Sequence, residues 1–187
     1  YVREHWDGDY TGYIGYPNMY YYQHNFYLNA DIDMGNKKSY VPLGTTEYEG
    51  TFYGNGHTIR IHIWGTSDNY QGLFSAIGVE GRVQDVHVAG EIACENSRLV
   101  GGICGYSRGY IGNCWVSADV SSKWHESASA SSAKVGGICG ELYARFVHDM
   151  IDNIKPAGKG RMEDCGMSGN VTNNDACVGG LVGYNHT

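Results

Sequence analysis

Val100-Gly101-Gly102-Ile103-Cys104-Gly105-Tyr106 returns as Val135-Gly136-Gly137-Ile138-Cys139-Gly140, and again as Val178-Gly179-Gly180-Leu181-Val182-Gly183-Tyr184. A looser copy stands earlier, at Gly72-Leu73-Phe74-Ser75. A short element repeated in this way describes architecture before it describes chemistry, because an internal repeat governs the fold of the whole chain.

Each copy is followed by a second recurring segment: Arg82 to Ile92, Tyr110 to Val120, and Arg161 to Val171. Aligned by column, Val83, Ile111 and Met162 coincide. So do Val86, Cys114 and Cys165, then Val88, Val116 and Met167. Gly90, Ala118 and Gly169 form the next column, and Ile92, Val120 and Val171 the last. From Val86 onward these columns alternate with polar or variable ones, the period of a strand with one buried face. The small residues at 90, 118 and 169 predict a tight place in the core or a bend.

The glycine-to-glycine spacing is uneven: 30 residues from Gly72 to Gly102, 35 to Gly137, and 43 to Gly180. A solenoid tolerates this, since insertions leave at its corners while its strands stay in register. The expected fold is all-β: a parallel β-solenoid, read as a right-handed β-helix. A propeller is the alternative, with too few strands per repeat and no blade signature to support it.

The elements at 72–75, 102–105, 137–140 and 180–183 resemble the GLUG-motif repeats of bacterial surface proteins. The run Phe26 to Met34, the slot Pro42-Leu43-Gly44 and the run Thr51 to Ile59 resemble the opening that precedes those repeats. The resemblance covers roughly residues 26–187, and an ordered series is more specific than any single Gly-rich element. Ser75 departs from the pattern, as do Ile103 and Ile138, which stand where Leu is usual. The resemblance implies a β-helical module of a secreted or surface-anchored bacterial protein. Some such proteins are adhesin-like. Others are immunoglobulin-A-cleaving metallopeptidases that carry the motif outside the catalytic domain.

At 187 residues the chain suits one domain with a substantial core. Gly is frequent, at 28, and Pro scarce, at 3, which fits many tight corners without rigid linkers. No window approaches a membrane span. The chain opens on Tyr-Val-Arg and closes on Tyr184-Asn185-His186-Thr187, inside a repeat, which leads us to expect a segment of a longer protein. A formal charge of −7 disfavours nucleic acid and anionic membrane as partners, since both need a basic face.

Cys104 and Cys139 share a column, as do Cys114 and Cys165. Stacked inside a solenoid they form either a ladder of small apolar side chains or two disulfides between successive turns, which the strand spacing permits. No metal-ligand spacing is present, and no cofactor is expected.

Residues 1–25 hold Tyr1, Tyr10, Tyr13, Tyr16, Tyr20, Tyr21, Tyr22 and Trp6 without a clean period. They read as a cap on the open end of the solenoid, or as an aromatic binding patch in which Trp6, Tyr20, Tyr21 and Tyr22 are anchors. Residues 26–34 alternate as a strand, with Asp31 and Asp33 on its solvent face. Residues 35–50 read as a polar loop. Gly54-Asn55-Gly56 signals a hairpin or a corner. Two insertions follow, at 121–134 and 141–160. The first reads as a flexible loop. In the second, Leu142, Phe146, Met150 and Ile154 recur every four residues, predicting an amphipathic helix over about 141–155.

The outward columns are where a site belongs. They are His87, Trp115 and Gly166; then Ala89, Ser117 and Ser168; then Glu91, Asp119 and Asn170. Trp115 beside His87, above hydroxyl and acidic residues, suggests a platform for stacking sugars. H-E-x-x-H does not occur. The expected function is therefore a non-catalytic binding or stalk module, located outside the cell, with a glycan or a host surface protein as partner. An accessory domain of a metallopeptidase and a β-helical polysaccharide enzyme are the alternatives. The enzyme would need three or more charged residues converging in one groove.

Overall fold

The computed structural model describes residues 2–4, 23–35, 42–64, 69–123, 133–148, 154–173 and 177–186. The fold is all-β. Strand β1 (Val2–Glu4) comes first, followed by β2 (Phe26–Leu28), β3 (Ile32–Asp33) and β4 (Leu43–Tyr48). The next pass holds β5 (Thr51–Tyr53), β6 (Thr58–Trp64), β7 (Tyr70–Gln71) and β8 (Phe74–Ile77). A third holds β9 (Arg82–Gln84), β10 (His87–Glu95), β11 (Leu99–Val100) and β12 (Cys104–Ser107). A fourth holds β13 (Tyr110–Gly112), β14 (Trp115–Lys123), β15 (Lys134–Gly136), β16 (Cys139–His148) and β17 (Ile154–Lys159). The last holds β18 (Arg161–Glu163), β19 (Gly166–Met167), β20 (Val171–Asn173), β21 (Cys177–Gly179) and β22 (Val182–His186).

Each pass contributes in turn to the same sheets. The first sheet runs β1-β2-β5-β9-β13-β18, and the second β3-β6-β10-β14-β19 with β20 also on β14. The third runs β7-β11-β15-β21, and the fourth β4-β8-β12-β16 with β17 and β22 on β16. Pairing between successive passes is parallel and in register: His87 faces Thr58 on one side and Trp115 on the other. Antiparallel pairing joins β1 to β2 and β16 to β17.

The register puts like residues over like, and the inward columns of all four sheets merge in one core. In the second sheet Ile59, Val88 and Val116 form one fully enclosed column, and Ile63, Ile92 and Val120 another. The column between them is the tight place expected from its small residues. Gly90 has φ +116°, and a Cβ there would collide with the Ile61 carbonyl; one at Gly169 would collide with that of Ala118. In the fourth sheet Phe74, Cys104, Cys139 and Val182 stack in register.

From β5 onward, each passage from first to second sheet holds an Asn or Asp in the left-handed region, joined by Gly56 at the first of them. Asn55, Asp85, Asn113 and Asp164 have φ of 52°, 57°, 48° and 49°. Asn and Asp tolerate that conformation better than other non-glycine residues. The corners are tied together, for the Asn113 Nδ2 donates to Asp85 Oδ1 at 2.6 Å and the Asp85 N–H to the Gly112 carbonyl at 3.1 Å. Gly54-Asn55-Gly56 is thus a corner and not a hairpin, since β5 and β6 lie in different sheets.

Three expectations are corrected. The loop expected at 121–134 is strand at both ends, for Ser121–Lys123 belong to β14 and Lys134 to β15. No helix occurs over 141–148 or 154–155: β16 continues through His148, and its far half pairs antiparallel with β17 around a bulge at Arg145/Phe146. Residues 149–153 lie outside the described residues. The near half of β16 is already held in the fourth sheet by β12 and β22, so the hairpin extends an existing ladder, where a helix would have to nucleate afresh. Within the expected loop at 35–50, Leu43–Tyr48 forms β4, pairs with β8 and buries Tyr48. Among the described residues no helix is long and apolar enough to cross a membrane.

Candidate functional site

Strand β14 alternates cleanly. Val116, Ala118, Val120 and Ser122 are buried, while Trp115, Ser117 and Asp119 face solvent. Trp115 opens the strand and keeps 49% of its surface exposed. Its indole lies over Gly166, the register partner in β19, where a Cβ would collide with the ring. The glycine lets a large ring lie against the sheet with one face outward.

Next to it, the His87 imidazole is fixed at both nitrogens. Nε2 lies 2.8 Å from Ser117 Oγ and Nδ1 3.3 Å from Thr58 Oγ1. Trp115 and His87 line an open depression of about 350 Å³ together with Asn55, Asp85 and Asn113. The three corner residues add an amide, a carboxylate and a second amide to its wall. Asn55 belongs to the Gly54-Asn55-Gly56 signal, whereas Asp85 and Asn113 are additions to the sequence reading, although with Asp164 they share a column of the residue types that favour left-handed corners.

Upstream on the same face, Asp31 Oδ1 accepts from the Thr58 N–H at 2.8 Å and lies 3.2 Å from His57 Nδ1. The backbone bond first, and His57 second, hold the Asp31 carboxyl below its ordinary value. Further along, Glu91 accepts from Trp64 Nε1 at 2.9 Å, and Asp119 from the Asn170 N–H at 2.8 Å. The acidic column is thus engaged in fixing the surface. Between it and Trp115 runs the small-residue column of Ala89, Ser117 and Ser168, which leaves the face open and shallow.

Trp115 and His87 therefore stand together as sequence columns place them. Trp6, Tyr20, Tyr21 and Tyr22 lie outside the described residues. The four column cysteines are free thiols. Cys104 and Cys139 are fully buried register partners, with Cys104 Sγ donating to Cys139 Sγ at 3.5 Å. Burial pushes the Cys104 thiol up, which keeps it protonated and unreactive. Cys114 Sγ and Cys165 Sγ each donate to a nearby backbone carbonyl, that of Gly112 at 3.1 Å and of Glu163 at 3.0 Å. Among the described residues no group of three or more His, Cys, Asp or Glu is placed to hold a metal ion.

No family model, curated protein or solved structure matches the chain.

Proposed function

We propose that the stacked sheets are the turns of a right-handed β-solenoid, and that the chain is a non-catalytic glycan-binding module of a secreted or surface-anchored bacterial protein. The solenoid reading is supported by the recurring order in which the chain enters its sheets, and by the columns of like residues in register. The GLUG-like series of motifs supports the assignment to a bacterial surface protein.

The observation that carries the binding role is the half-exposed indole of Trp115, seated on Gly166 beside a polar depression. An aromatic face offers apolar area at low entropic cost. The Asn55 and Asn113 Nδ2 groups each donate one bond within the protein, to the Leu28 carbonyl and to Asp85 Oδ1, which leaves a second N–H and the amide oxygen of each for sugar hydroxyls. On this face Glu91 accepts from Trp64 Nε1 and Asp119 from the Asn170 N–H, which engages both carboxylates in holding the surface.

The 187-residue chain and its Trp115→Ala variant should be run on a glycan array. Binding by the parent that falls at least about tenfold in the variant is expected for a buried aromatic anchor. Equal binding by both proteins, or none by either, would refute the role given to this face.

A further inference from the structure

The first sheet carries a second depression of about 350 Å³, walled by Glu80, Arg82, Tyr110, Lys159, Arg161 and Glu163. Arg82, Tyr110 and Arg161 are register partners on β9, β13 and β18, and so form one outward column. The Arg82 guanidinium lies over the Tyr110 ring, 5.6 Å from its centroid. Lys159 comes from the end of the β16–β17 hairpin, and its Nζ donates to Glu80 Oε1 at 2.7 Å. Arg161 pairs with Glu163. Glu49, just outside, accepts from the Glu80 N–H at 2.8 Å.

The charges do not balance. Three cations face two carboxylates in the wall, although the chain as a whole carries −7. Among the described residues Arg82 makes no ion pair at contact distance, although its charge acts on Glu80; the Tyr110 ring is its neighbour. A cation–π contact places the guanidinium without using its N–H donors, which suit a planar or tetrahedral oxyanion. The two ion pairs are exposed, at 49% and 71% for Lys159 and Glu80 and 67% and 38% for Arg161 and Glu163. Such pairs are weak in water and exchange readily for a ligand anion.

We propose that this depression binds an oxyanion-bearing ligand, a carboxylate or a sulfate, with Arg82 as the principal donor and Lys159 and Arg161 as flanking cations. Five charged side chains in one place is also what a polysaccharide-cleaving site would need. Here, however, both carboxylates are paired with cations of the wall, Glu80 with Lys159 and Glu163 with Arg161, and the arrangement suits holding an anion. The site stands on the other side of the corner from Trp115 and does not depend on it.

The test is an amide NMR titration of the 187-residue chain at low salt with sodium D-glucuronate, sodium sulfate and neutral D-glucose. Saturable shifts at Gly81, Gly109 and Tyr110 with either anion, and none with glucose, are expected. Response to one anion alone would assign the ligand class to it. Arg82→Gln should weaken the response at least about tenfold, as expected for loss of a charge-assisted bond, with the rest of its spectrum unchanged. Trp115→Ala should leave it intact. No saturable shift with either anion, an equal response to glucose, or full binding by Arg82→Gln would overturn the proposal.

Discussion

Asn113 shows how one residue serves both fold and site. Its backbone sits at φ 48°, its side chain ties two successive corners, and its amide lines the Trp115 depression. Replacing it with alanine loses a hydrogen bond, for about 1 kcal/mol, and keeps a β-carbon at positive φ without the local side-chain bonding by which Asn offsets its cost of about 1–2 kcal/mol. Replacing it with glycine loses the hydrogen bond alone. Urea unfolding should therefore rank Asn113→Gly above Asn113→Ala in stability, and the reverse order would remove the corner argument. This column was legible in the sequence, because three aligned Asn and Asp residues are a local conformational signal. The seat of Trp115 was legible only in part. The shared column put Gly166 beside it, but that the indole reaches over the glycine is a matter of rotamer, which no spacing encodes.

Among the elements, β10 is the best determined, with a parallel partner on each side along most of its length. Its tight point is Gly90, where positive φ and the Ile61 carbonyl both exclude a side chain. Gly90→Ala should cost about 1–3 kcal/mol in urea unfolding from backbone strain alone. Ala118→Gly, one strand away in the same column, should cost no more than about 1 kcal/mol. A neutral Gly90→Ala would show that the column is not tight. The hairpin of β16 and β17 teaches the opposite lesson about legibility. Leu142, Phe146, Met150 and Ile154 recur at a helical period, yet Cys139, Glu141 and Leu142 are claimed by Cys104, Tyr106 and Ser107 of β12. A partner 35 residues away along the chain outweighed the local pattern. The strand at Leu43–Tyr48 was missed for the same reason, since its pairing with β8 is non-local.

At the scale of the molecule, the repeat was the most readable feature, because stacking in register demands that equivalent positions carry similar side chains. That is why the columns of Val83, Val88 and Ile92 could be aligned before any coordinates, and why spacings of 30, 35 and 43 residues did no harm. The extra length falls, along the sequence, between β14 and β15 and in the β16–β17 hairpin. Charge was readable only as a total. The convergence of Arg82, Tyr110 and Arg161 with Lys159 depends on the hairpin reaching back 79 residues to Glu80. Both proposed sites rest on one claim, that successive repeats stack along a single direction. Asp33, Arg60, Ala89 and Ser117 are consecutive register partners on the outer face of the second sheet, and Ser168 continues the column. In a Cys177→Ser background, nitroxide pairs should be placed at Asp33 with Arg60, with Ser117 and with Ser168, and their distances measured by electron paramagnetic resonance. The account predicts separations that lengthen by about 4.8 Å per repeat, reaching roughly 19 Å between the backbones of Asp33 and Ser168. Distances that fail to grow in step with repeat number, as around the ring of a propeller, would contradict it.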